Sequence, residues 1–224
     1  MFLIAEETFS SAMCLVLVWF LIKPYKVTRE VRHLGLPIGF GFLCVSYAVS
    51  AFTHLYPLAT FSSLPLAWFQ LLLRPFSILF LAFTYYFSKK SSKNSRLMGD
   101  VTLSAIIVAL TSMVIFFFVA PQFAIDNYRV LSIYVRIFNI VCLLYITIHT
   151  LRSHLAAQDS KTILTPFGYL FLLIGQYSLL IWDTGDVSNE FPFYGGLLLR
   201  WIGLVLFLLI AYRTFYGANK RSTK

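Results

Sequence analysis

The sequence has few charged residues, and acidic residues are the scarcest of them. Of its 224 residues, 12% are charged and 59% are hydrophobic, with nine Asp or Glu against 18 Lys or Arg. A soluble domain carries about 25% charged residues, so this composition excludes an ordinary water-soluble protein. We predict an all-α integral membrane protein in which residues 1–224 form a single membrane domain, with no soluble domain.

The sequence also lacks the patterns of common enzymes and metal sites. Its three cysteines, Cys14, Cys44 and Cys142, lie inside apolar segments without metal-ligand spacing. No Gly-x-Ser-x-Gly elbow or phosphate-binding P-loop occurs. An Asp-Thr-Gly tripeptide at 183–185 matches part of the aspartic-protease motif, but that chemistry needs two carboxylates that share a proton. We therefore predict a protein that is not an enzyme and has no metal site.

Seven segments are long and apolar enough for membrane spans, which need about 20 mostly apolar residues. Prolines stand at most of their ends, where a missing N–H is tolerated. Pro75 alone lies inside a segment, and we expect it to kink the third helix. The prediction is a seven-transmembrane-helix bundle with helices at approximately 5–23, 35–57, 64–88, 98–120, 128–151, 164–183 and 193–216.

Basic residues concentrate on alternate connections, which sets the predicted orientation. The first, third, fifth and last connections hold 14 of the 18 basic residues: Lys23, Lys26, Arg29, Arg32, Lys89, Lys90, Lys93, Arg96, Arg152, Lys161, Arg213, Lys220, Arg221 and Lys224. The opposite side holds six of the nine acids: Glu6, Glu7, Asp126, Asp183, Asp186 and Glu190. Cytoplasmic loops are enriched in Lys and Arg. We therefore predict an N-terminus outside and a C-terminus in the cytoplasm, in the plasma membrane of a prokaryote.

Three arginines, Arg74, Arg136 and Arg200, lie within predicted helices that run in the same direction. A charge at the bilayer centre costs at least about 2.5–3.5 kcal/mol on insertion scales, so intramembrane arginines are functional candidates. Polar or small residues stand four positions before and three after each arginine, on the same helix face: Gln70 and Ser77, Ser132 and Asn139, Gly196 and Gly203.

Two other helices add polar residues at a similar depth, namely Tyr47 and His54 in the second helix and Gln176 and Asp183 in the sixth. We predict a polar pocket in the outer half of the bundle. Its ligand-binding residues are Arg74, Arg136, Arg200, Gln70, Asn139, Gln176, Asp183, Tyr47 and His54. Because guanidinium groups bind carboxylates and phosphates through two parallel hydrogen bonds, the ligand would be anionic or amphipathic. Alternatively, the arginines pair with Asp183, Asp186 and Glu190, or extend toward the lipid headgroups.

The arginine-containing segments also hint at an internal repeat. Pro37-Ile38-Gly39 in the second helix resembles Pro166-Phe167-Gly168 in the sixth, and each precedes a helix with an intramembrane arginine. Similar spacing of similar motifs suggests a duplicated helical hairpin.

These observations favour a small seven-helix sensor or receptor-like protein that signals to a cytoplasmic partner. Its layout is similar to that of the seven-helix sensory modules of prokaryotic signalling proteins, a similarity of architecture alone. The last helix has no lysine between Pro192 and Tyr216, so no retinal-type cofactor is expected. Membrane lipids are expected neighbours, and nucleic acid is not a predicted partner. The alternatives are a non-catalytic subunit of a membrane complex, with its arginines paired to acids on another chain, and an organic-anion transporter.

Overall fold

The described part of the chain folds into seven α-helices. The computed structural model describes residues 2–28, 34–55, 63–88, 93–119, 121–157, 163–185 and 190–216. The helices are α1 (Phe2–Thr28), α2 (Gly35–Leu55), α3 (Ser63–Ser88), α4 (Lys93–Val119), α5 (Pro121–Ala157), α6 (Leu164–Thr184) and α7 (Phe191–Tyr216). A helix satisfies its own backbone hydrogen bonds, which is what an apolar segment in lipid requires. The predicted all-α class is confirmed.

Six of the seven helices are long and apolar enough to cross a membrane. The remaining one is α4, whose described apolar stretch is the shorter segment Ser104–Met113. The structure thus supports a multi-pass membrane protein, with six candidate spans among the residues that it describes.

Two of the predicted segments, those of α1 and α5, are extended at both ends. Helix α1 begins at Phe2 and continues through Pro24 to Thr28, so the acids near its start belong to the helix. Helix α5 begins with Pro121, where a proline suits the first helical turn, and has 37 residues. At 1.5 Å per residue it is about 55 Å long, which exceeds the roughly 30 Å hydrocarbon layer. Helix α3 continues through Pro75.

Six helices form a closed ring in the order α1, α2, α3, α5, α6, α7, with α7 packed against α1. Helix α4 lies outside the ring, packed mainly on α3 and only slightly on α5. Its contact with α3 is a small apolar cluster in which Ile106 and Leu110 meet Phe76 and Phe80. Helix α4 is therefore the least embedded part of the described bundle.

The interior of the ring has an apolar half and a polar half. All six ring helices contribute to one apolar cluster, which includes Leu17, Phe40, Leu81, Ile146 and Phe207. The polar half lies toward the start of α1. On the outside of the bundle many large apolar side chains are exposed, a surface that a water-soluble protein rarely shows but that lipid would cover.

The hairpins α2–α3 and α6–α7 pack in the same register. In α2–α3, Gly39 lies two positions after Pro37, and Ser77 lies three positions after Arg74. The two residues meet, because the Ser77 hydroxyl donates to the Gly39 carbonyl at 2.7 Å. In the second hairpin, a Cβ on Gly203 would lie 3.0 Å from the Gly168 carbonyl oxygen. These matched contacts strengthen the interpretation of the two hairpins as copies of one unit.

Candidate functional site

The polar half of the ring contains a continuous layer of polar side chains from all six ring helices, called here the polar layer. Its members are Glu6, Glu7 and Ser10 of α1, Ser46 and Tyr47 of α2, Gln70 and Arg74 of α3, Ser132, Arg136 and Asn139 of α5, Gln176 and Asp183 of α6, and Arg200 and Trp201 of α7. The contacts below connect these side chains into ion-paired groups and one small cavity.

Arg200 is the most buried arginine of the layer, and it is held by two carboxylates of α1. Its guanidinium forms a hydrogen-bonded ion pair with Glu6 and lies 3.2 Å from a Glu7 carboxylate oxygen. The ring of Tyr47 is stacked against it, 4.5 Å from its central carbon to the ring centroid. A guanidinium over an aromatic face adds a cation–π attraction. Arg200 therefore joins the last helix to the first.

The carboxylate of Glu6 is fixed by a chain of hydrogen bonds. The Ser10 hydroxyl donates to Glu6 at 3.3 Å, and the Trp201 indole N–H donates to the Ser10 oxygen at 3.0 Å. Glu6 and Ser10 are four residues apart, so one face of α1 presents both. This chain orients Glu6 toward Arg200.

Arg74 sits between the α1 carboxylates and the rest of the layer. One guanidinium nitrogen lies 3.6 Å from a Glu7 carboxylate oxygen, while Nε donates to the Ser46 hydroxyl at 3.2 Å. The Ser46 hydroxyl in turn donates to the backbone carbonyl of Gln70 at 3.1 Å. The Arg74–Glu7 distance is longer than a normal hydrogen bond, so this ion pair is the loosest in the layer.

Arg136 forms a hydrogen-bonded ion pair with Asp183, which joins α5 to α6. The Ser132 hydroxyl donates to the same Asp183 oxygen at 3.0 Å. Ser132 and Arg136 are one helical turn apart, which explains why both reach the same carboxylate. This pair confirms one part of the alternative in which the arginines pair internally; Asp186 lies outside the described residues.

The structure corrects the predicted charge balance of the site. The predicted site residues include three arginines and a single acid, Asp183, whereas the structure also buries Glu6 and Glu7 within the bundle. Three arginines therefore face three carboxylates, and the layer is neutral when all six groups are ionised. The apolar residues Phe2, Leu3 and Ile4 precede the acids; they were the sequence signal for an earlier helix start. The three arginines thus have acidic partners within this chain.

Five of the nine predicted site residues line one cavity of about 30 Å³ between α3, α5 and α6. The complete lining is Gln70, Leu71, Arg74, Ser132, Val135, Arg136, Asn139 and Gln176. The Gln70 and Asn139 side-chain oxygens are buried without a hydrogen-bond partner among the described residues. A buried polar group normally has such a partner. The cavity is the size of one water molecule or a small ion.

The other four predicted residues lie beside the cavity or away from it. Tyr47 and Arg200 belong to the neighbouring ion-paired group, and Asp183 binds Arg136. His54 is exposed near the end of α2 and does not line the cavity. Within the described ranges, no group of three or more His, Cys, Asp or Glu residues is arranged to hold a metal ion.

A much larger apolar groove of about 700 Å³ lies between α3, α4 and α5. It is lined by Leu72, Pro75, Phe76, Leu79, Ser112, Met113, Phe116, Leu131, Tyr134, Val135 and Phe138. Several of these residues are sequence neighbours of Arg74 and Arg136, so the groove lies at the level of the polar layer. Val135 lines both the groove and the polar cavity. Sequence reasoning missed this groove because it depends on where α4 packs.

Comparison with the models of known families, with curated proteins and with solved structures finds no match. Proposals about function therefore rest on the geometry of the polar layer, the cavity and the groove.

Proposed function

We propose that this protein is a seven-span membrane sensor that binds an amphipathic small molecule. The apolar part of the ligand lies in the groove between α3, α4 and α5, and its polar end points toward the polar cavity. The single observation that carries the proposal is the shared wall at Val135, where a groove large enough for a ligand adjoins buried, partnerless polar atoms.

The size and lining of the groove suit an amphipathic molecule with a long apolar part. Ligand pockets usually measure about 300–1,000 Å³ and are mostly apolar, with a few convergent polar groups. The groove of about 700 Å³ falls in this range. Amide groups of Gln70 and Asn139 supply the convergent polar groups, at one end only.

Charge balance favours a hydrogen-bonding polar end over a free organic anion. The four ion pairs with Glu6, Glu7 and Asp183 already compensate the arginines, so an added charge would have to displace a carboxylate. A hydroxyl or amide end instead supplies hydrogen bonds to the side-chain oxygens of Gln70 and Asn139. We therefore propose a single-chain amphiphile with an uncharged polar end as the ligand class.

Signalling would proceed through α4, which lies outside the ring. Helix α4 forms one wall of the groove through Ser112, Met113 and Phe116, and it packs on the ring mainly through α3. A ligand in the groove contacts α4 and the ring together, so its binding changes the position of α4 most easily. The short basic connections would present this shift to a cytoplasmic partner.

The proposal includes α4 as the seventh span, with the N-terminus outside and the C-terminus in a prokaryotic cytoplasm. The distribution of basic residues supports this orientation. Single cysteines placed in the first and second connections of a cysteine-free variant would test it in intact cells. The second connection should react with an impermeant thiol reagent and the first should not; the reverse pattern would refute the orientation.

Photo-crosslinking tests the ligand site. The protein in lipid nanodiscs is exposed to a diazirine-bearing fatty alcohol, with and without an excess of the unlabelled alcohol. We expect saturable labelling of α3 and α5 peptides that line the groove. Met113→Trp, which fills the groove from α4, should lower this labelling several-fold.

Val108→Trp is the matched control, because Val108 is also on α4, is exposed and does not line the groove. It should leave labelling unchanged. The proposed site is wrong if the unlabelled alcohol does not reduce labelling, or if both variants and the wild type are labelled equally. Either result would mean that the probe reports bulk lipid.

A transporter is the second candidate, and the matched register of α2–α3 and α6–α7 favours it. Many transporters contain structural repeats, and their substrate sites lie at the interface between repeats. Counterflow of a labelled amphiphile in proteoliposomes separates the two candidates. Ligand-dependent counterflow supports transport, whereas binding without counterflow supports the sensor.

A further inference from the structure

The polar cavity can offer hydrogen-bond donors from five of the six polar residues that line it. Arg74 and Arg136 carry guanidinium N–H groups, and Gln70, Asn139 and Gln176 have amides. The sixth, Ser132, already donates its hydroxyl proton to Asp183. The two ends of an amide are interchangeable by rotation, so each amide can present NH₂ to the cavity. At about 30 Å³, the space admits one small particle. This donor set is suited to an anion, provided that a positive charge is available.

Arg74 is the residue through which such a charge can become available, because it reaches both the cavity and Glu7. Its ion pair with Glu7 has a separation of 3.6 Å. The other two arginines are held more firmly, since each forms a hydrogen-bonded ion pair with its acid. The second oxygen of Glu7 is buried without a hydrogen-bond partner among the described residues. Glu7 is thus the least satisfied binding partner of an arginine that lines the cavity.

The groups around Glu7 come from four helices. Arg200 of α7 and Arg74 of α3 carry positive charge toward it. Tyr47 of α2 lies against both guanidiniums, and Glu6 and Cys14 share α1 with it. Glu6 keeps Arg200 compensated if Glu7 takes up a proton. In that event Arg74, and not Arg200, loses its counter-charge.

We infer that the cavity is a proton-linked binding site for a small monovalent anion of halide size. Protonation of Glu7 releases Arg74 from its ion pair, and Arg74 then binds an anion in the cavity together with the amides of Gln70 and Asn139. Uptake of one proton and one anion keeps the polar layer neutral, which avoids the cost of an unpaired charge in a buried site. The proposal is independent of a ligand in the groove.

Linkage makes the proposal quantitative. If a proton and an anion bind together, each increases the affinity for the other by the same factor. If one proton accompanies each anion, anion affinity can rise by at most about tenfold for each unit by which the pH falls.

Calorimetric titration with sodium bromide measures this dependence. The wild-type protein is placed in nanodiscs of zwitterionic lipid, which removes anionic headgroups as a competing source, and sodium gluconate holds the ionic strength constant. We expect bromide to bind more tightly as the pH of the buffer is lowered. Anomalous scattering from bromide in crystals grown at acidic pH should place the ion beside Arg74 and Asn139.

Two glutamate variants form the matched comparison. Glu7→Gln imitates the protonated residue, so it should bind bromide at neutral pH with little further pH dependence. Glu6→Gln changes the adjacent acid but leaves the Arg74–Glu7 ion pair, so its bromide affinity should still depend on pH. Arg74→Gln should lose bromide binding at every pH.

Wild-type bromide affinity that is independent of pH would overturn the proposal, as would an absence of binding or an ion located elsewhere. A Glu7→Gln variant that keeps the wild-type pH dependence would also overturn it. If Glu7→Gln does not fold, the wild-type titration, Arg74→Gln and the position of bromide still decide the question.

Discussion

The hairpins α2–α3 and α6–α7 place an arginine at the same register but surround it differently. In α6–α7, the Arg200 side chain is 4% exposed and binds two carboxylates. In α2–α3, the Arg74 side chain is 16% exposed and lies 3.6 Å from one carboxylate, that of Glu7, which also contacts Arg200. The α6–α7 hairpin thus has a fixed arginine, whereas the arginine of the α2–α3 hairpin also lines the polar cavity.

The contact between the two helices is also closer and less polar in α6–α7 than in α2–α3. At equivalent positions, the Ser46 hydroxyl bonds to the Gln70 carbonyl in the first hairpin, and Gly175 packs directly on Gly196 in the second. Glycine contacts let two backbones approach closely and leave no polar side chain to bind anything else. Hydroxyl contacts keep polar side chains at the interface. The second hairpin is therefore held by close backbone contact, and the first keeps polar side chains beside the candidate site.

The largest expected effect is the loss of the fixed arginine. Arg200→Leu should lower the free energy of unfolding by about 3–5 kcal/mol, because it leaves Glu6 and Glu7 buried beside a single remaining cation, Arg74. Arg74→Leu should cost less, since Glu7 keeps its contact with Arg200. Unfolding of both variants in bicelles measures the difference, and equal losses would show that the two arginines are equivalent.

Replacement of Gly196, between α6 and α7, is expected to have the next largest effect on stability. A Cβ on Gly196 would lie 3.0 Å from the Gly175 carbonyl oxygen and 2.8 Å from Leu179. Gly196→Ala should therefore destabilise the protein by about 1–3 kcal/mol, the usual cost of overpacking.

Gly41→Ala is the control for Gly196→Ala, because the nearest atom to a Cβ on Gly41 is a Val18 methyl at 3.9 Å. It should leave stability unchanged or raise it slightly, since alanine restricts the unfolded chain. Destabilisation by both substitutions to the same extent would argue against close approach as the reason for Gly196.

The smallest expected effect concerns hydrogen bonds between the paired helices. Ser77 donates to the Gly39 carbonyl in the first hairpin, and Ser178 donates to the Pro192 carbonyl in the second, both at 2.7 Å. Hydrogen bonds between membrane helices contribute about 0.6 kcal/mol on average. Ser77→Ala and Ser178→Ala should each cost about that much in the same unfolding assay. A much larger loss for Ser77→Ala would mean that the first hairpin also depends on a fixed contact.

Helix positions could be predicted from the sequence because apolar runs and prolines mark them directly. The convergence of Gln70, Arg74 and Asn139 was also predictable, since their spacing places them on helix faces at one depth. The pairing of Glu6 and Glu7 with arginines was not predicted, because acids near a chain terminus were assigned to the outer surface. The groove depends on packing between distant helices, which local periodicity does not encode.

The ion pair between Glu6 and Arg200 also has a consequence for biogenesis. The two residues belong to the first and last helices, so the acids of α1 are made long before their partner emerges from the ribosome. Until α7 is inserted, the nascent bundle holds two glutamates without Arg200, and the ring has a gap between α1 and α6. Closure of the ring between α1 and α6 therefore depends on α7.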